Sequence, residues 1–115
     1  EYIRVPGLSF LPGLCCPHHD RVQSNGVLRS TDFAEMLRRH PGETGLAIDH
    51  FAALVLSDGD YQVLSLPDKP GSLMPDGTND PGKGVPGVWI KSVAADGIAI
   101  LEKSLPKTGP ISSLL

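Results

Sequence analysis

Residues 8–20 read LSFLPGLCCPHHD, and this stretch decides how the rest of the chain is read. It is a short apolar run that stops at Pro17 and then delivers two imidazoles and a carboxylate, His18, His19 and Asp20. A buried strand ending in ionisable groups is how α/β proteins present polar chemistry, because ligands sit in the crevice outside the carboxyl ends of the strands. Leu8 to Cys16 therefore reads as a buried strand, kinked at Pro12-Gly13, with His18 as the first candidate for a working residue.

Working outward, residues 1–7 form a lead-in closed by a Pro6-Gly7 turn. Arg21 to Arg29 is a polar loop with Asn25-Gly26 as its turn. Ser30, Thr31 and Asp32 offer N-cap oxygens, and Asp32 with Glu35 has capping-box spacing. Phe33, Met36 and Leu37 then share one helical face until His40-Pro41-Gly42 ends the segment, so one short amphipathic helix is expected.

Gly45–Asp49, Phe51–Ser57 and Tyr61–Leu66 are β-rich runs. Asp58-Gly59 between the last two is a strong hairpin signal, so a meander is expected, its strands covered on both sides because nearly every position is apolar. Pro67 to Gly87 is a Pro/Gly-rich arm. Val88–Val93 and Ile98–Leu101 flank Ala95-Asp96-Gly97 as a second hairpin, with Trp89 docked there, and the apolar Leu114-Leu115 end is expected to pack.

Composition narrows the function classes. The 115 residues fit one small domain with a real core, and 13 Gly with 11 Pro indicate many turns rather than disorder, since strong apolar runs lie between them. A net charge of -3 with scattered basic residues gives no footprint for nucleic acid. No apolar stretch approaches the roughly 20 residues that span a bilayer, and no signal peptide is evident, so no membrane contact and a cytoplasmic location are expected. Cys15 and Cys16 are adjacent, which excludes a disulfide framework and makes them small buried hydrophobes.

Three readings of His18 stay open from the residues alone. It fills a turn; it joins His19, Asp20, Asp49 and His50 as a metal donor, although no His-x-His or Glu-x-x-His spacing is present; or it is a general base. A serine nucleophile needs a sharp turn of the Gly-x-Ser-x-Gly kind, and Ser9, in Gly7-Leu8-Ser9-Phe10-Leu11, lacks the second glycine. There is no Walker loop and no Gly-x-Gly-x-x-Gly stretch after a strand.

Gly7-Leu8-Ser9-Phe10-Leu11-Pro12-Gly13, Cys16-Pro17-His18-His19-Asp20, Arg29 four places before Phe33, Gly45-Leu46-Ala47-Ile48-Asp49, Ala52-Ala53-Leu54-Val55 and the Asp58-Gly59 hairpin together resemble the C-terminal half of the peptidase E family, aspartyl dipeptidases related to cyanophycinase. The resemblance implies an α/β fold, the C-terminal portion of a class I glutamine amidotransferase-like or flavodoxin-like three-layer sandwich. Residues 1–66 would be its C-terminal half, and 67–115 the arm and closing hairpin of the same domain.

It also implies a serine-type dipeptidase acting on short peptides with an N-terminal Asp, without cofactor or bound metal. His18 would be the catalytic base, with His19 as a wall of the substrate site and Arg29 as a ligand for a substrate carboxylate. Asp49 would have a structural role. The nucleophile serine and triad acid would lie in an N-terminal half acting as companion, so the chain alone would hydrolyse nothing; a homodimer is a further assembly open to it. The alternatives are a cyanophycinase-like hydrolase and, from another class, a non-catalytic binding or structural α/β domain that needs a partner to cover its apolar strands.

Overall fold

The computed structural model describes residues 5–7, 10–66 and 85–115. Glu1, Ser9 and most of the expected arm, residues 67–84, lie outside the described residues.

Over the described residues the protein is a mixed α/β structure of one α-helix and two small sheets, mostly strand. β1 (Leu14–Pro17), α1 (Arg29–Arg39) and β2 (Gly45–Ile48) form a βαβ unit with β1 and β2 parallel. β5 (Val88–Val93) pairs antiparallel with β2, and β6 (Ile100–Ser104) with β5, giving the order β1-β2-β5-β6. β3 (Ala52–Ser57), β4 (Asp60–Ser65) and β7 (Thr108–Pro110) form the second sheet in that order, followed by a 3₁₀ turn at Ile111–Leu114.

The core lies between α1 and the first sheet. Phe33, Met36 and Leu37 bury one helical face against Leu14, Cys16 and Ala47, with Trp89, Val93 and Ile100 packed around them. The alternation of β1, in which Leu14 and Cys16 are buried while Cys15 and Pro17 are exposed, is the period-2 pattern of a strand with one covered face. Gly45 is where the helix comes closest: a Cβ there would stand 2.8 Å from the Phe33 ring and 2.9 Å from Leu37.

The helix ends at Arg39 as its sequence predicts, but it begins differently. Leu28 occupies the N-cap position in extended conformation with no side-chain cap, so the capping box is not formed. Asp32 instead accepts a 2.6 Å bond from Gln23 Nε2, and its carboxylate in the first turn favours the positive end of the helix dipole. The Asp58-Gly59 hairpin is a two-residue turn with both residues at positive φ, 53° and 83°, as the twist of such hairpins requires. The Asp96 carboxylate holds the other hairpin by accepting from Ile98 N and Ala99 N, and these bonds keep its pKa below the ordinary value.

Several expectations are corrected. Among the described residues the first strand begins later than expected: Phe10 is 84% exposed and pairing begins at Leu14, where Gly13, at φ 99°, packs against the Thr44 backbone. The meander is broken, because a tight turn at Asp49–Phe51, with Phe51 at φ 67°, sends β3 into a different sheet from β2. The strands of the second sheet are not covered on both sides; Ala53, Val55, Gln62 and Leu64 are all exposed on one of its faces. Cys16 is buried but Cys15 is exposed, and of the two C-terminal leucines only Leu114 packs. Among the described residues no helix is long and apolar enough to cross a membrane.

Candidate functional site

Because β1 and β2 are parallel neighbours, their carboxyl ends deliver two polar segments to one edge: His18-His19-Asp20 from the first and Asp49-His50 from the second. The main chain of the first segment is tied to the second strand, with His18 N and His19 N both donating to Ile48 O at 3.1 and 3.2 Å. This turn puts His18 at φ 116°, a region L-residues rarely adopt. A non-glycine held there costs on the order of 1–3 kcal/mol.

The turn separates the two imidazoles. His19 points inward and is buried; its Nδ1 lies 2.7 Å from Asp49 Oδ1, a close polar contact without the alignment of a directional hydrogen bond. The other Asp49 oxygen accepts from Gly87 N at 2.7 Å and from the Trp89 indole N–H at 3.2 Å. The Trp89 ring stands edge-on to His19 at 6.2 Å. One buried carboxylate thus joins the turn after β1 to the start of β5. The expected structural role for Asp49 agrees with these contacts.

His18 points outward. Its Nδ1 is 3.4 Å from His50 Nδ1, so one ring must donate and the other accept, and at least one of the pair is neutral in that contact. Burial lowers the His50 pKa, and the charges of Arg21 and His18 lower it further while Asp20 opposes them. Asp20 is itself buried and accepts a 2.7 Å bond from His50 N. Desolvation pushes its carboxyl above the ordinary value, against the lowering effect of that hydrogen bond.

Arg29, in the first turn of α1, reaches back to the same edge and donates from Nη1 to Pro17 O at 3.2 Å, beside His18. Of the three residues singled out from the sequence, Arg29 meets the strand end at the Pro17 carbonyl, while His18 and His19 point to opposite sides of the turn. The structure adds His50 and Trp89 as members of the cluster. Trp89 carries no local sign of this role, since its bond to Asp49 spans 40 residues. Among the described residues, no group of three or more His, Cys, Asp or Glu is placed to hold a metal ion.

Fold and cluster together define a small mixed α/β protein whose strand ends are cross-braced by a buried histidine–aspartate–tryptophan network. No family model matches the chain and no solved structure matches it. Over 72 residues, 62% of its length, it is 46% identical to G2/mitotic-specific cyclin-1 of Trypanosoma brucei brucei, and it spans only 22% of that protein's length.

This similarity overturns the peptidase E resemblance. With it go the serine dipeptidase activity, the cyanophycinase-like alternative and the enzyme assignment. The expected partners, a companion half bearing a serine and a short peptide substrate, go as well. The resemblance rested largely on turn and strand residues that serve the fold. Pro17-His18-His19-Asp20 closes a strand and braces its neighbour, and the buried carboxylate Asp49 meets His19 rather than His18.

Proposed function

We propose that the chain is a non-catalytic, protein-binding module of a regulatory protein that works in the cell cycle, with a cell-cycle protein kinase as its partner. The observation that carries this reading is the 46% identity, over 72 residues, to a protein specific to G2 and mitosis. The structure supports it with a surface suited to the task. Ala53 and Val55 of β3 lie beside Leu64 and Gln62 of β4 on one exposed face, and the ladder is extended by a bond from Leu66 N to Phe51 O. Val55 and Leu64 are 40% and 47% exposed, with Phe51 and Leu66 at 40% and 48% beside them. Grouped apolar residues on an antiparallel sheet face are what a protein partner covers.

In this reading the cluster at the ends of β1 and β2 is a brace. Arg29 fastens the helix to the strand end, and His19 with Asp49 fixes β5, so that the second sheet is presented on a rigid support. The three-layer, flavodoxin-like arrangement is kept as part of the proposal, supported by the parallel β1–α1–β2 unit, whose helix covers one face of the sheet. A cytoplasmic location is likewise proposed, supported by the adjacency of Cys15 and Cys16, which makes a disulfide framework impossible.

The test is direct binding of the purified chain to a mitotic protein kinase from the same cell, measured by calorimetry. Saturable binding that weakens at least tenfold in the Val55→Lys/Leu64→Lys double variant, with an unchanged circular-dichroism spectrum, is the expected result. Absence of binding, or binding indifferent to the two lysines, would replace this reading.

A further inference from the structure

His18 and His50 take no part in the buried Asp49 network, although the His50 ring borders the apolar face assigned above to a partner through Phe51. Each leaves the carboxyl end of one of two parallel strands, so two imidazoles 32 residues apart in sequence meet across a fixed edge. Their Nδ1 atoms are 3.4 Å apart, with ring centroids at 5.4 Å and planes inclined by 58°. Two nitrogens bound to a tetrahedral zinc ion at about 2.05 Å stand about 3.3 Å from each other. The separation set by the hydrogen bond between the rings therefore matches the one a tetrahedral cation requires.

From this geometry we infer that His18 and His50 form a two-imidazole site for a divalent cation of the zinc class, its remaining coordination positions filled by water. The main chain on both sides of the site is fixed before any ion arrives. His18 N is bonded to Ile48 O, and its strained φ of 116° is held by that turn. His50 N is bonded to Asp20 Oδ1, and the His50 ring packs edge-on against Phe51 at 4.2 Å.

An imidazole ligates only through an unprotonated nitrogen, so a cation bound by both Nδ1 atoms displaces the proton that the two rings share in its absence. The other charges felt at His50 are Arg21, which opposes a cation, and Asp20, which favours one. Since no further His, Cys, Asp or Glu among the described residues completes the set, the site is open, and its occupancy depends on both rings and on competition with protons.

Zinc chloride titrated into the intact chain, followed by calorimetry at pH 7.5 in a non-coordinating buffer, tests the assignment. One saturable site is expected, weakened at least tenfold by His50→Gln and by His18→Asn, unchanged by His40→Gln, and weakened at pH 5.5. No saturable binding, or equal binding by either site variant, would overturn it. Because His18 sits in a strained turn that a substitution can disturb, the wild-type chain provides a second measurement by substoichiometric addition of paramagnetic copper(II). Broadening of the His18 and His50 ring resonances before that of His40 supports the site; broadening of His40 first, or of none, rejects it.

Discussion

Asp49 Oδ1 lies 2.7 Å from His19 Nδ1, and the same carboxylate accepts from Gly87 N and the Trp89 indole, so a single buried side chain ties β1, β2 and β5 at one edge. Truncating it leaves two donors without an acceptor and removes the polar contact to His19. Each orphaned buried donor costs about 1–3 kcal/mol. Asp49→Ala is therefore expected to destabilise the fold by about 2–4 kcal/mol in urea unfolding. Asp49→Asn is expected to cost about 1 kcal/mol, because the amide oxygen still accepts from Gly87 and Trp89. Equal losses for the two variants would show that the carboxylate is not acting as the shared acceptor.

His50 gives the edge a defined pH response. Its folded-state pKa lies below the ordinary 6.5, first through burial and then through Arg21 and His18. The unfolded chain consequently binds a proton more readily at this position. The contribution of His50 to stability is present above pH 6.5 and is lost as pH falls through that value and then through the lower folded one. Urea midpoints compared between pH 7.5 and 5.0 are expected to fall less in His50→Gln than in the wild-type chain. A parallel or steeper fall in the variant would contradict the assigned direction. Asp20 acts in the opposite sense, its raised pKa favouring the fold at acid pH, so the difference between the two proteins isolates His50 better than either profile alone.

Packing between α1 and the first sheet leaves no room at Gly45, where an added methyl would meet Phe33 at 2.8 Å and Leu37 at 2.9 Å. Both neighbours are fully buried and cannot swing aside without opening the core. Gly45→Ala is expected to cost about 1–3 kcal/mol. Gly42→Ala, where nothing stands within 4 Å of the added atom, is the control and should leave the unfolding midpoint within about 0.5 kcal/mol of the parent. A tolerated Gly45→Ala would mean that the helix rides farther from β2 than described.

Local chemistry in the sequence determined a good deal of this protein. Phe33, Met36 and Leu37 fixed the helix and its buried face, Asp58-Gly59 and Asp96-Gly97 fixed the two hairpins, and Pro17 marked where the first strand ends; these are short-range effects of periodicity, φ preference and missing donors. The tertiary structure alone decided that β3 leaves the sheet of β2, because that turns on the positive φ of Phe51, and that Asp49 takes Gly87 and Trp89 as partners, because they arrive from nearly 40 residues away. It also decided the roles of the adjacent histidines. Their residue types are identical, and only the strained turn at His18 sends one ring to solvent beside His50 and the other into the core against Asp49.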